Sequence, residues 1–151
     1  MESKGVFLVI VDYSKTLAEM IKAGMIKAGK YDYINLDINA VNFPSTLTGK
    51  QEFKVELVRY RYAHRISSSE VLADFDRHGY RPATLPELLA FGEKYPDEQR
   101  EVEIVALGSV WQNGFGSRDV ACLYSLNFLR MLSLNLWFGG WTDSRFLAIR
   151  K

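Results

Sequence analysis

A helix begins within the stretch Tyr80-Arg-Pro-Ala-Thr-Leu-Pro-Glu-Leu-Leu-Ala-Phe-Gly92, and this stretch decides the fold prediction. Thr84 is a suitable N-cap because its side chain can hydrogen-bond within the first helical turn, which holds Pro86 and Glu87. The side chains that then fall on one face of the helix are Leu85, Leu88 and Leu89. This spacing predicts an amphipathic helix that packs on a core.

Apolar and alternating runs predict strands on both sides of this helix. Residues 5–13 are nearly all apolar and rich in β-branched and aromatic side chains, which indicates a strand with both faces covered. Apolar and polar side chains alternate over residues 31–42, which predicts a short strand or extended arm. They also alternate over residues 52–62, which predicts a longer strand. Further strands are expected at residues 101–110, 120–124, 131–137 and 145–150.

Local signals predict two more helices. Ser14 is the expected N-cap of the first, which should end at Gly24 or Gly29. Ser67 and Glu70 have the spacing of a capping box and start the second. Strands and helices come first and antiparallel strands come last, which indicates an α+β fold.

Composition excludes several classes of protein. At 151 residues the chain has the length of one ordinary domain, 1–151. Its net charge of +1 gives no broad field for nucleic acid or anionic lipid, so neither partner is expected. Cys122 is the only cysteine, which suits a reducing compartment. The apolar run at residues 6–11 is too short to span a membrane or to be a signal peptide. We therefore expect a cytoplasmic protein, unless a partner or non-classical export carries it to the surface.

No catalytic, metal or cofactor site is expected. A nucleophilic pair would need Cys122 with His64 or His78, but Cys122 lies in an apolar strand where an inert buried thiol is the usual state. A metal shared by the two histidines with Asp74 and Asp76 lacks support, because cationic side chains are favoured at a helix end in any case. The glycines at residues 113–116 are too close together for a phosphate-binding loop.

The aromatic residues of the last third of the chain are the stronger signal. Trp and Tyr dominate binding sites because they supply large, rigid contact areas. Phe115, Phe128 and Phe138 lie in turn-like stretches beside Gly, Asn and Ser, a combination that indicates a recognition surface. The aromatic residues assigned to core packing are Trp111, Trp137, Trp141 and Phe146.

Three blocks of sequence then carry a family resemblance: residues 79–89, residues 105–111 with Gly108-Ser109, and residues 140–151 with Trp141 and Arg145-Phe-Leu-Ala-Ile-Arg150. In order and spacing they resemble the variable proteins of diversity-generating retroelements, which have a C-type lectin fold. The resemblance implies two helices, near Leu17 and Leu88, that brace a curved, mostly antiparallel sheet. It also implies a ligand-binding surface, at about residues 110–145, that adenine-directed mutagenesis rewrites.

Mutation of adenines in AAC or AAT codons gives access to Phe, Leu, Ser, Asn, Gly, Asp, Thr and Tyr, but not to Trp, Gln, Glu, Lys or Met. The loop residues of this region belong to the accessible set. The predicted contacts to an unidentified ligand, expected to be a protein or a cell-surface component, are Asn113, Phe115, Ser117, Tyr124, Leu126, Asn127, Phe128, Phe138, Gly139, Thr142, Asp143 and Ser144.

Two alternatives remain open. The exposed aromatic residues could form a fixed self-association surface, so that the chain would be an assembly module and a homo-oligomer. The residues from Arg81 to Glu87 also approximate the helix start of the sulfatase-modifying enzymes that generate formylglycine, which share the fold. That chemistry depends on paired cysteines, which the single Cys122 cannot supply.

Overall fold

A computed structural model describes residues 1–61, 65–138 and 140–151 of the chain. Within these residues it contains four helices and an eight-stranded, mostly antiparallel sheet, so the α+β prediction is confirmed. No helix in these ranges is long and apolar enough to cross a membrane. The elements are β1 (Glu2–Asp12), α1 (Leu17–Ala23), β2 (Tyr33–Ile34), β3 (Lys50–Arg59), α2 (Ser68–Arg77), β4 (Tyr80–Pro82), α3 (Leu85–Lys94), α4 (Glu98–Glu101), β5 (Ile104–Gln112), β6 (Arg118–Leu126), β7 (Leu129–Leu136) and β8 (Arg145–Arg150).

The sheet is open, and its strand order is β1-β3-β8-β5-β6-β7-β2, with β4 paired to β8. The β5–β8 and β2–β7 pairs are parallel, and the remaining pairs are antiparallel. The expectation of a curved sheet is corrected, because β1 and β2 stand at opposite edges without curling towards each other. The two helices expected near Leu17 and Leu88 are present as α1 and α3, together with α2, which the Ser67 and Glu70 spacing predicted, and the short helix α4.

The sheet buries apolar side chains on both faces. Helices α1 and α3 cover the first face, where their leucines and isoleucines pack on alternate residues of β5, β6 and β8. Helix α2 and the chain after β7 cover part of the second face, which contains Val105, Cys122 and Phe146. Because side chains alternate along a strand, neighbouring residues of the same strand serve the two cores.

The helix starts follow from local hydrogen bonds. Ser67 and Glu70 form the predicted capping box of α2. The predicted cap of α1 is wrong: Thr16 is the N-cap and forms the box with Glu19, because Ser14 is engaged in a turn with Asp12.

The start of α3 is held by a buried ion pair. Arg81 donates from both terminal nitrogens to the Glu87 carboxylate at 3.0 and 2.8 Å, and Glu87 is 1% exposed. One oxygen of Glu87 also accepts from the backbone N–H and the hydroxyl of Thr84. A bidentate pair with further hydrogen bonds is the geometry in which a buried charge is tolerated.

β1 departs from its prediction. Only one of its faces is covered, with Val9 and Val11 buried, while Val6, Leu8 and Ile10 are exposed. The strand lies at the sheet edge, where it pairs with β3 alone and no helix packs on its second face. The predicted arm at residues 31–42 contains only the short strand β2, followed by turns. The end of the predicted strand at residues 52–62 lies partly outside the described residues.

The side chain of Arg130 forms hydrogen bonds to several elements that cover the first face. From β7 its guanidinium donates to the carbonyl oxygens of Gly24, Gly29 and Gly92 at 2.7, 3.1 and 2.9 Å. It also donates to the side-chain oxygen of Gln99 and the hydroxyl of Tyr31, and it lies 3.9 Å from the centroid of the Tyr31 ring. Burial lowers the pKa of Arg130. Its N–H donors are nevertheless all used, which compensates for the loss of hydration.

Arg130→Lys tests this connection. The ammonium keeps the charge but cannot reproduce the forked donors, so carbonyl oxygens on α1, α3 and the following turn lose their partner. We expect the free energy of unfolding, measured with urea, to fall by about 3 kcal/mol. Arg100→Lys is the matched control, because the Arg100 side chain is 74% exposed, and it should change stability by less than about 0.5 kcal/mol. Equal effects of the two substitutions would contradict the assignment.

Candidate ligand-binding surface

The predicted contact residues lie at two ends of the sheet. Phe115 is in the turn between β5 and β6, whereas Phe128 is in the turn between β6 and β7. The nine residues of β6 separate the two turns, and they span about 27 Å in an extended strand. The single continuous surface that the sequence suggested is therefore divided.

At the first end, Asn113 shapes the turn that carries Phe115. The side-chain oxygen of Asn113 accepts from the backbone N–H groups of Phe115 and Ser117 at 2.9 and 3.1 Å. Its amide nitrogen donates to Asp119 at 3.3 Å. Phe115 is 98% exposed and so contributes nothing to the core. In this turn Asn113 is the support and Phe115 is the residue available for contact.

Phe138 belongs to the same end of the sheet. Its ring is 76% exposed, and the Arg118 guanidinium lies 4.7 Å from its centroid and 5.0 Å from that of Trp137. Cation–π contacts of this kind hold an aromatic ring in place without burying it. Gly139, which follows in the predicted set, lies outside the described residues.

At the other end, Asn127 and Phe128 form the tight turn of the β6–β7 hairpin. Their φ angles are +49° and +67°, the only positive values at residues other than glycine in the described part of the chain. A two-residue turn with both angles positive favours Asn followed by Gly, because a side chain at the second position is strained. Phe128 occupies that position and is 103% exposed, so its ring is free of the protein.

The strands below this turn extend it into a patch on the second face. Leu126 lies opposite Leu129, and Tyr124 lies opposite Met131. Tyr33 of β2 lies on the other side of Met131. Residues directly opposite on paired strands share a face. We name this surface the hairpin patch, and its members are Tyr33, Tyr124, Leu126, Phe128, Leu129 and Met131.

Sequence reasoning identified only part of the hairpin patch. Tyr124, Leu126 and Phe128 were predicted contacts, whereas Tyr33, Leu129 and Met131 were not. A signal for Met131 was present in the sequence. If residues 127 and 128 form a two-residue turn, the strand register on its two sides pairs Met131 with Tyr124. No local signal could have placed Tyr33, because β2 joins β7 through a parallel pair that is distant in sequence.

Thr142, Asp143 and Ser144 lie at the same end of the sheet as the β6–β7 turn, beside a polar cleft that Tyr124 also lines. Ser144 donates to Glu103 at 2.6 Å, while Thr142 and Asp143 are exposed. The tryptophans behave largely as expected for core residues: Trp137 and Trp141 are 7% and 5% exposed, and Phe146 is buried. Trp111 is only half-buried at the margin of the first core.

Of the residues considered for catalysis, Cys122 and His78 have separate contacts in the structure. Burial raises the pKa of the Cys122 thiol well above its usual value, and Glu103 raises it further. The sulfur faces the carbonyl of Ser133 at 3.6 Å, whereas His78 hydrogen-bonds to Asp74. His64 lies outside the described residues. The part of the chain that the structure describes contains no group of three His, Cys, Asp or Glu side chains placed to hold a metal ion.

Comparisons with protein-family models, with curated proteins and with solved structures find no match to this chain.

Proposed function

We propose that this chain is a ligand-binding protein of the C-type lectin fold, with surface residues in its C-terminal third that a retroelement diversifies. The observation that carries the proposal is Phe128, an aromatic residue with its ring in solvent and its backbone in a conformation that favours glycine. Strain of this kind costs about 1 kcal/mol or more. The fold gains nothing in return, which indicates that the ring serves contact with a partner.

The three blocks of the family resemblance act as framework, which supports the proposal. In the first, Arg81, Thr84 and Glu87 lock the start of α3. In the second, the hydroxyl of Ser109 accepts from the first N–H of α3 at 2.9 Å, and a Cβ on Gly108 would lie 2.5 Å from the Ala83 carbonyl oxygen. These residues have structural reasons for their identity.

The third block closes the second face. The indole nitrogen of Trp141 donates to the hydroxyl of Ser68 at 2.9 Å, and that hydroxyl donates to the carbonyl of Trp137 at 2.7 Å. Ile66 and Trp141 form a β-bridge around this contact. The segment between β7 and β8 is therefore tied to α2 at buried points, while Phe138 and Thr142 beside them remain exposed.

The character of the exposed residues favours a protein or another cell-surface component as ligand. Aromatic rings next to Asn, Ser and Asp supply apolar anchors and adaptable hydrogen bonds, as in antibody paratopes. A net charge of +1 gives no attraction for nucleic acid. We further propose that the protein is not an enzyme, since Cys122 and His78 have separate structural contacts.

One genomic observation tests the diversification directly. We expect a near-copy of the coding sequence for about residues 110–145, rich in adenine at the loop codons and adjacent to a reverse-transcriptase gene. If the genome that encodes the chain has no such copy, the surface is fixed and the retroelement part of the proposal is wrong.

A library tests whether the framework tolerates diversity. The codons of Phe115, Leu126, Phe128, Phe138 and Thr142 would be randomised together, and folding scored by protease resistance of displayed variants. Because these side chains are exposed, we expect most variants to stay within about 1 kcal/mol of the parent. The matched library randomises buried positions, Leu123, Leu132, Phe146, Leu147 and Ala148, and should lose folding in most members. Similar losses in both libraries would show that the surface is part of the core.

The self-association alternative is tested by replacing Phe115, Phe128 and Phe138 together with Ser. Under the proposal the mass measured by light scattering does not change, because the rings contact a different molecule. A mass that falls on substitution would instead identify a homo-oligomer interface and favour the assembly module.

Phe128→Gly separates folding from binding at one residue. Glycine relieves the strain at φ +67°, so the free energy of unfolding should rise by about 0.5–1 kcal/mol while an aromatic contact is lost. Phe115→Gly is the control, since Phe115 is equally exposed but has no positive φ, and glycine there should give no gain. A loss of stability in Phe128→Gly would mean that the ring supports the hairpin.

Thiol labelling tests the inert state of Cys122. The thiol is 1% exposed and its pKa is raised by burial, so the thiolate form is scarce in the folded protein. At pH 8 we expect modification by an aromatic disulfide reagent to be about 100-fold or more slower in the folded protein than in urea-unfolded protein. Comparable rates would indicate a reactive cysteine and reopen the enzyme alternative.

A further inference from the structure

The polar cleft at the end of the sheet has a volume of about 750 Å³ and lies where β1, β3 and β8 meet α4. Charged side chains line most of its wall. They include Glu2, Lys4, Arg59, Arg100, Glu103 and Arg145. Because the cleft is open and formed by strand ends and a short helix, a small molecule can enter it without a change of the sheet.

Two arginines occupy neighbouring positions on adjacent strands of this cleft. The antiparallel pairing of β3 with β8 has Val58 opposite Phe146, and the next residues outward are Arg59 and Arg145. Like charges at such positions are destabilising. On the other side of β3, Arg59 lies opposite Glu2.

The carboxylate of Glu2 is shared by two guanidinium groups. Glu2 accepts from Arg59 at 3.2 Å and from Arg61 at 2.8 Å. In the described part of the chain, the Arg145 side chain forms no ion pair, and its only hydrogen bond is to the backbone carbonyl of Asp143 at 3.4 Å. Burial lowers the pKa of Arg145, and the charge of Arg59 lowers it further. The carboxylates of Asp143 and Glu2 act in the opposite direction, but neither lies within ion-pair distance of the Arg145 guanidinium.

The other cations of the cleft are already engaged. Lys4 pairs with Glu98 at 2.7 Å, and Arg100 pairs with Asp97 at 3.2 Å. Glu103 accepts hydrogen bonds from Ser144 and Asn135. Arg59 is also paired, but through its Nε atom alone, and within the described residues its terminal nitrogens form no hydrogen bond. The terminal N–H groups of Arg59 and Arg145 on the two adjacent strands therefore remain available to a ligand.

We propose that this cleft binds a small molecule through a carboxylate group held between Arg59 and Arg145. A guanidinium matches the two oxygens of a carboxylate with two parallel N–H donors. The acidic side chains of Glu101, Glu103 and Asp143 line the same cleft and disfavour a doubly charged phosphate through repulsion. Tyr124, Thr142, Asp143 and Ser144 of the proposed diversified surface also line the cleft. The site does not rest on their diversification, because its anchoring residues are arginines of the sheet.

Acetate is a suitable probe of this site, and inorganic phosphate is the anion with which it is compared. Side-chain N–H signals of arginine would be followed by NMR in the full chain during titration with each anion at constant ionic strength. We expect saturable shifts of the Arg59 and Arg145 signals with acetate, at millimolar affinity, and weaker binding of phosphate. No saturable shift, or tighter binding of phosphate, would overturn the proposal.

Two substitutions assign the site. Arg145→Gln and Arg59→Gln should each weaken acetate binding about tenfold or more, since each removes a charge-assisted contact. Removal of one arginine also relieves repulsion, so Arg145→Gln should keep the parent's thermal midpoint, which confirms that it is folded. Arg77→Gln, in α2 and outside the lining of the cleft, is the matched control and should bind acetate as the parent does. Equal binding by all three variants would show that the arginine pair is not the site.

Discussion

The buried guanidinium of Arg130 is the constraint on which the rest of the structure depends. A charge removed from water must have its donors satisfied, and Arg130 meets this requirement with carbonyl oxygens at the end of α1, in the following turn and in α3. These elements are far apart in sequence and must converge before the requirement is met. Arg130 also lies two residues from Phe128, and its backbone N–H donates to Asp32 at 2.7 Å. The residue that ties these elements together therefore lies beside the turn that carries Phe128.

Because side chains alternate along a strand, the two faces of β7 have different roles. Along β7 the side chains of Arg130 and Leu132 enter the first face, whereas Leu129 and Met131 point to the second face and belong to the hairpin patch. Substitutions on the exposed side change the chemistry of the surface without touching the packed side. Where a strand is packed on one face and uncovered on the other, as β7 is beside the hairpin patch, the uncovered side chains can vary at little energetic cost.

Local signals made much of the fold predictable. The Ser67–Glu70 and Thr84–Glu87 spacings located two helix starts, because a capping box involves residues only three apart. Properties that depend on distant partners were not predictable. The exposed face of β1 follows from its position at the sheet edge. The split between Phe115 and Phe128 follows from the length of β6, although the exposure of both rings was foreseen from their turn-like surroundings.

Two features that the sequence could not explain are each unfavourable for folding. Phe128 carries a side chain where the turn favours glycine. Arg59 and Arg145 place like charges on adjacent strands. Elsewhere the chain satisfies its polar groups so fully that no buried side-chain nitrogen or oxygen of the described residues lacks a hydrogen-bond partner. In a structure that otherwise meets local requirements, such exceptions are expected at functional sites. This expectation is the physical reason for proposing ligand contacts at the strained turn and at the paired arginines.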